Sequence, residues 1–313
     1  MTIQTETLLP DATGIVRAAD LLREGALVSF PTETVYGLGA DARNGEAVAR
    51  VYEAKGRPSF NPLIVHVARV SQAQDFVLWS DTAQALADAF WPGPLTMVLP
   101  LATNHGLSSL VTAGLDSVAL RVPADPTAQA LLQAFGGPIA APSANPSGRI
   151  SPTTAQHVIS GLSGRISAVV DGGACAVGME STIIGLTEGP TLFRAGGLAH
   201  EAIEQILGRT LASSADSDAI TAPGQMTSHY APAATVRLNA LEAQPGELML
   251  GFGDVNGALN LSPTGDLVEA AANLFDHLHQ LDARALPIAV APIPMQGLGR
   301  AINDRLARAA APR

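Results

Sequence analysis

Ser29-Phe30-Pro31-Thr32-Glu33-Thr34-Val35-Tyr36-Gly37-Leu38-Gly39-Ala40 is the stretch around which the chain is organised. The apolar run from Ala26 to Phe30 reads as a buried strand, and Pro31 ends it. A hydroxyl-rich turn follows, then two glycines one leucine apart. Thr32 and Thr34 lie two apart, so an extended backbone points both hydroxyls the same way. Gly37 and Gly39 permit positive φ or close approach of a ligand to the backbone. A strand that opens into hydroxyls and glycines suits a small polar molecule.

Outward from this stretch, helical and extended patterns interleave without a strict βαβ rhythm. Gly14 to Arg23, Gly45 to Ala54, Gln72 to Leu78, Thr82 to Phe90, Thr127 to Phe135, Thr154 to Ile159 and Glu201 to Leu207 read as helices. Between them lie apolar strands at Leu63 to Val67, Leu95 to Leu99, Ser117 to Val122, Pro138 to Ala141, Ala168 to Val170, Ser181 to Leu186 and Thr191 to Arg194. This irregular alternation predicts an α/β fold with a twisted mixed sheet. After Arg209 the composition turns polar and small (Ser213 to Asp218), and the linker continues through Pro223 to Pro232. A second unit then reads strand-strand-helix-strand-helix, with Asp266 to Leu281 a clear amphipathic helix, and predicts a small Rossmann-like parallel sheet. The expected domains are 1–210, a linker or lid at 211–233, and 234–313.

At 313 residues, 47% of them hydrophobic and 15% charged, the chain is globular, with one large and one small domain as the natural division. Its net charge of −10 argues against broad electrostatic capture of nucleic acid, while leaving room for a local basic cleft. One cysteine, Cys175, forms no intrachain disulfide and reads as a small buried hydrophobe. Neither a secretory leader nor a bilayer-length apolar run is visible, so a cytoplasmic protein with no membrane partner is expected.

Several strand ends and turns carry hydroxyls or cations: Thr32 and Thr34; Lys55, Arg57 and Asn61; Ser117 and Arg121; Ser143 and Asn145; Ser181 and Thr182; Arg194. Strand ends at one sheet edge are where ligand sites gather in α/β proteins. With only 18 Lys and Arg in all, this clustering points to an anionic ligand. P-loop, dinucleotide, zinc and nucleophile-elbow patterns are all absent. Each residue also has a plainer reading. The threonines can cap a turn, Lys55 and Arg57 can be solvated, and His66 can be a hydrogen-bonded core histidine. Arg121 can pair with Asp116 or Asp125, and Tyr230 can pin the linker.

Taken together, Pro31 to Gly39, Lys55-Gly56-Arg57-Pro58, Asn61-Pro62-Leu63, Trp91 to Pro94, Ala141 to Gly148, Glu180 to Ile183 and Arg194 to Gly197 resemble the YrdC/Sua5 family of threonylcarbamoyl-AMP synthases. Ser228 to Pro232 and the tail segments Gly265 to Leu267, Pro292 to Pro294 and Gly297 to Gly299 look like the long Sua5 branch. The resemblance spans nearly the whole chain. It implies a YrdC-like catalytic domain followed by a Sua5 domain. The implied reaction makes L-threonylcarbamoyladenylate from L-threonine, bicarbonate and ATP, releasing pyrophosphate, as the first step of N6-threonylcarbamoyladenosine formation in tRNA. By the same resemblance Thr34, His66, Arg121 and Ser181 form the threonine pocket. Arg57, Asn61, Ser117, Ala141, Ser143, Arg194 and Tyr230 contact ATP, and Lys55 and Arg57 serve catalysis. Mg²⁺ is expected to arrive with ATP and not on protein side chains. Hand-off to a separate tRNA transferase is implied, without strong tRNA binding by this chain. A non-catalytic RNA-binding module is the alternative, and a carbamoyl-transfer domain of hydrogenase maturation is a third reading.

Overall fold

The computed structural model describes residues 3–213 and 229–312. The stretch of the expected linker from 214 to 228, including Ser228, lies outside the described residues. The chain opens with β1 (Glu6–Leu8), α1 (Ala12–Arg23), β2 (Val28–Phe30), β3 (Gly37–Asp41) and α2 (Gly45–Lys55). It continues through β4 (Ile64–His66), α3 (Val70–Gln74), α4 (Asp81–Phe90), β5 (Leu95–Pro100), α5 (Ser109–Thr112) and β6 (Ser117–Arg121). Then come α6 (Pro126–Phe135), β7 (Ile139–Ala140), α7 (Ala155–Leu162), β8 (Ala168–Val170), β9 (Thr182–Gly185), β10 (Thr191–Arg194), α8 (His200–Leu207) and β11 (Ala212–Ser213). The second unit holds β12 (Val236–Arg237), β13 (Leu248–Gly251), β14 (Leu259–Asn260), α9 (Leu267–Asp282), β15 (Ile288–Val290) and α10 (Leu298–Ala310).

Helix starts follow local chemistry. Asp11, Asn44, Ser80, Asp125, Thr154 and Asp266 each accept a backbone N–H from the turn they open. Gly56 closes α2 at φ 61, a conformation that glycine adopts without strain. This turn sends the chain straight to Arg57.

The first sheet is mixed, as the irregular alternation predicted, and runs β1-β8-β2-β3-β7-β4-β6-β5-β9-β10-β11. Strand alternation sorts its side chains. Leu38, Ala40, Val65, Met97, Leu120, Ala140, Val169 and Ile184 face one layer of helices that includes α2, α4 and α7. Val28, Phe30, Ile139, Ala168 and Val170 face α1 and α6 on the other side. Along β4, β6, β5 and β9 that second face carries instead a small floor of Ile64, Ala119, Val98 and Ile183. Helices thus cover one side of the sheet and only part of the other, and the site lies on the remainder.

Gly37 and Gly39 lie within a strand, not in a turn. A Cβ on Gly39 would stand 2.9 Å from Phe30, and one on Gly37 would stand 3.2 Å from the Ala141 Cβ. Their small size therefore serves close packing between neighbouring strands.

The second sheet is parallel throughout, in the order β12-β15-β13-β14. Its core includes Leu250, Leu274, Phe275, Leu278, Ile288 and Ile302. Val35, Ile150, Met179 and Tyr230 from the first unit and linker belong to that same apolar cluster, so the two units share a seam. No helix among the described residues is long and apolar enough to cross a membrane.

The seam has a tight point at Gly178, whose φ is +67 and whose Cβ would fall 2.3 Å from the Ala272 carbonyl oxygen on α9. Gly178→Ala is expected to cost on the order of 2 kcal/mol, through strain plus clash. Gly173→Ala, at φ +84 with open space around it, should cost only the backbone strain, about 1 kcal/mol. Chemical denaturation of both variants checks this; equal losses would mean that α9 is not seated against Gly178.

Candidate functional site

Parallel pairing sets His66 beside Arg121, at the ends of β4 and β6. Neighbours in register on one face put a ring and a guanidinium side by side. Arg121 is buried and directional. Its Nε donates to the Gly93 carbonyl at 3.1 Å and its Nη1 to Thr34 Oγ1 at 2.7 Å. Its Nη2 lies 2.7 Å from Glu33 Oε1, off the hydrogen-bond direction. The carboxylate partner is therefore Glu33, not the Asp116 or Asp125 that sequence reasoning offered. Asp125 is engaged elsewhere, capping α6. Glu33 is held in turn by the Ala124 N–H at 3.1 Å.

The threonine pair does both things that its chemistry allows. Thr32 Oγ1 donates to the Val35 carbonyl at 2.7 Å and accepts from the Thr34 and Val35 N–H groups, a hydroxyl turn. It also meets Thr34 Oγ1 at 2.7 Å. Thr34 is thus poised between Thr32 and Arg121. His66 packs edge-on to Phe30 at 6.3 Å, and its Nδ1 makes no well-formed hydrogen bond. Burial, and then the charge of Arg121, push His66 down to about 3, so it is neutral at physiological pH.

The cationic side begins where α2 ends. Lys55 is buried, and burial followed by the nearby charge of Arg57 holds it well below the usual lysine range. Its Nζ donates to the carbonyls of Ser143, at 2.6 Å, and Asn145. Lys55 thereby pins the 143–145 loop from behind. Arg57 donates to the carbonyls of Asn61, at 3.2 Å, and Pro62, at 2.9 Å. No carboxylate partners it among the described residues, and burial lowers it to about 10. The Asn61 side-chain oxygen is buried without a hydrogen-bond partner among the described residues.

The third wall is the β9–β10 hairpin. Ser181 Oγ meets Thr96 Oγ1 at 2.7 Å. Arg194 Nη2 donates to the Ser181 carbonyl at 2.8 Å and to its Oγ at 3.2 Å. Glu180 accepts from Ser151 Oγ and, at 2.8 Å, from Arg305 Nε. Burial opposes its charge, yet Arg305 and then Arg194 keep its carboxyl below the usual range. From the linker, Tyr230 enters at φ 60, almost fully buried and stacked on Phe275 at 5.7 Å. His229 packs on it at 4.1 Å. Burial and the charges of Lys55, Arg57, Arg305 and Arg194 hold His229 far below its ordinary value.

Thr34, His66, Arg121 and Ser181 all line one cleft. Arg57, Ala141, Ser143, Arg194 and Tyr230 line it too. Lys55 stands behind its wall. Asn61 and Ser117 sit near the starts of β4 and β6 and are not lining residues. The Asn61 carbonyl touches the lining through Arg57, and Ser117 lies opposite Pro100. Ser117 is four residues before Arg121, about 13 Å along a strand. Sequence reasoning passed over Glu33, Glu180 and His229. Glu33 lay inside the opening motif, and a buried arginine in need of an anion was the signal for it. Cys175 is a buried free thiol pushed up to about 12 by burial, as its plain reading held.

The family model described as "Telomere recombination", covering Sua5, YciO and YrdC, matches residues 20–196. A second, "Threonylcarbamoyl-AMP synthase, C-terminal domain", matches residues 198–311. Threonylcarbamoyl-AMP synthase of Bacillus subtilis is 42% identical, over 98% of this chain and 95% of its own. That of Pyrococcus abyssi is 40% identical, over 93% and 92%. The crystal structure of P. abyssi Sua5 complexed with L-threonine superposes with a TM-score of 0.89 at 37% identity, over 98% of this chain and 97% of that one.

An unfolded histidine titrates near 6.5, so between that pH and about 3 the unfolded chain binds a proton that native His66 refuses. This contribution to stability is complete above pH 6.5 and declines as pH falls through that window. It amounts to about 2 kcal/mol between pH 7 and 5. Replacing His66 with Asn should flatten the acid side of a plot of unfolding free energy against pH. An unaltered slope would assign the acid sensitivity to other groups.

Proposed function

The chain belongs to the Sua5/YciO/YrdC family in its long, two-domain form, and we propose that it makes L-threonylcarbamoyladenylate from L-threonine, bicarbonate and ATP. One observation carries this reading above the others: Arg57 is a buried guanidinium whose partners among the described residues are backbone carbonyls, set in the wall of a cleft shared with Arg121 and Arg194. A buried cation of this kind is relieved by an anionic ligand. L-threonine and ATP are the substrates; bicarbonate supplies the carbon.

The threonine amine attacks bicarbonate to give the N-carboxy carbamate and water. A carbamate oxygen then attacks the α-phosphorus, and pyrophosphate leaves. Threonine lies at the Thr34, His66, Arg121 and Ser181 end. Its carboxylate exchanges with one of the contacts that Arg121 now makes to Thr34 and Glu33. Neutral His66 adds no competing charge, and a polar contact to the substrate hydroxyl rejects amino acids that lack one. ATP lies toward Arg57, Ser143 and Arg194, with Tyr230 over it, while Asn61 and Ser117 serve an extended nucleotide along the strands. Lys55 acts through the 143–145 loop. Catalysis on this reading is alignment plus neutralisation of crowded anions. Glu33 and Glu180 are each engaged by an arginine, so magnesium would be held by the triphosphate and water and not by these carboxylates, and would supply further neutralisation of phosphate charge. The adenylate passes to a separate transferase that modifies tRNA. We place the catalytic domain at 1–210, with β11 (Ala212–Ser213) still pairing at the edge of its sheet, the rest of the linker up to 233, and the Sua5 domain at 234–313.

Pyrophosphate release should require both threonine and bicarbonate; release that ignores threonine ends this reading. Arg57→Ala should lower kcat/KM for ATP by about 100-fold or more while the chain still folds, at a modestly lower melting temperature because the Asn61 and Pro62 carbonyls lose their donor. Wild-type turnover in that variant would remove Arg57 from the site.

A further inference from the structure

Arg305 is on α10, in the second unit, and its side chain is wholly buried. Every polar contact that it makes across the seam lands next to a residue of the cleft. Its Nε donates at 2.8 Å to Glu180, the neighbour of Ser181. Its Nη2 donates at 2.9 Å to the carbonyl of Ala195, the neighbour of Arg194. Its guanidinium carbon lies 4.9 Å from the centre of the Tyr230 ring, a cation–π distance. Nη1 turns back to Asp304 on its own helix, at 2.5 Å.

The hairpin that Arg305 grips is irregular. Arg194 pairs with Ile183 and Leu192 with Ile184, so Phe193 is an extra residue. A bulge of this type bends a strand and re-aims the side chain beside it, here Arg194. The turn beyond it is closed by Gly197 N–H to the Glu180 carbonyl at 2.8 Å. It admits no side chain at Gly196, whose Cβ would be 2.3 Å from that carbonyl oxygen. Arg305 ties together both arms of this end, Glu180 on one and Ala195 on the other. It also sets its charge against a carboxylate that faces the cleft. Unpaired, Glu180 would repel a triphosphate and draw Arg194 to itself.

We propose that Arg305 is a positioning residue of the nucleotide half of the site, through which the second unit holds Arg194 and Tyr230 in place and neutralises Glu180. This rests on the adenylate-forming reading above, and it gives the second unit a part in ATP binding. Thr34, His66 and Arg121 at the threonine end lie outside the contacts of Arg305, which reaches that end through Ser181 alone.

The test is steady-state pyrophosphate release by the full chain, together with equilibrium binding of α,β-methylene ATP. Arg305→Met should raise the KM for ATP and weaken analogue binding by about tenfold or more, with the KM for threonine within about twofold. Arg305→Lys, which keeps the charge but loses the planar fork, should fall between the two. Adding Glu180→Gln to Arg305→Met should recover at least about threefold of analogue binding, because it removes the orphaned charge. A mere structural prop would lower the melting temperature without separating ATP from threonine. Parallel loss for both substrates, unchanged analogue binding, or a double variant no better than the single one each overturns the proposal. Should Arg305→Met not fold, Arg305→Lys with wild-type ATP affinity overturns it alone. If the wild-type chain releases no pyrophosphate, the activity reading fails, and analogue binding still decides the role of Arg305.

Discussion

Burying positive charge with few carboxylates beside it among the described residues is the constraint on which this site depends. Lys55, Arg57, Arg121 and Arg194 are all buried, in a chain whose net charge is −10. Each meets the cost of burial in part by donating to backbone carbonyls: those of Ser143 and Asn145, of Asn61 and Pro62, of Gly93, and of Ser181. A carbonyl dipole steadies a cation without cancelling it. The same bonds fix the loops that shape the cleft, so the scaffold and the charge are one arrangement. That is preorganisation: Arg57, Arg121 and Arg194 already line the cleft before an anion arrives, and Lys55 holds the loop behind them.

The sheet explains why these charges meet. Parallel pairing of β4 with β6 sets His66 against Arg121, and strand alternation keeps both on the face that carries Ile64 and Ala119. Helices α1 and α6 cover one stretch of that face, packing on Val28, Phe30 and Ile139. The uncovered remainder receives polar side chains from the turn after β2, from α2 and from the β9–β10 hairpin. The linker residues His229 and Tyr230 then lie over it, and the second unit backs them through Phe275 and Arg305.

Much of this was legible in the sequence, since apolar runs and capping residues are local signals. The amphipathic pattern of α9 and the strands carrying His66 and Arg121 could be read from neighbouring residues; the caps at Asn44 and Asp266 are equally local signals that went unread. The two-residue spacing of Thr32 and Thr34 put their hydroxyls together, though through a turn and not an extended strand. What escaped was long-range. Glu33 pairs with Arg121 across 88 positions, and no local pattern selects it over Asp116 or Asp125. Gly37 and Gly39 read as allowing positive φ or close approach of a ligand; Gly37 does line the cleft, but the rings and strands that exclude a side chain at both come from elsewhere in the fold. Short β1, β11 and β14 are defined by partners and carry little pattern of their own.

The seam between the units shows the same economy at longer range. Most of it is apolar: Val35, Ile150 and Met179 join the second core. Apolar burial is non-directional and would hold the two bodies together in many orientations. The Arg305–Glu180 pair does not tolerate that freedom. A fully buried guanidinium that loses its carboxylate leaves two unsolvated charges, so only orientations that keep the contact are accessible. His279 makes a second polar tie, 3.2 Å from the Ser151 carbonyl, and stacks on His157 at 3.9 Å. Ser151 in turn donates to Glu180. Two polar ties in an otherwise greasy seam, from Arg305 and from His279 by way of Ser151, therefore lead to one carboxylate beside the cleft, while Arg305 to Ala195 and His157 to Asp276 add separate contacts. Affinity between the units comes from the hydrocarbon; their register, and with it the shape of the nucleotide end, comes from Glu180.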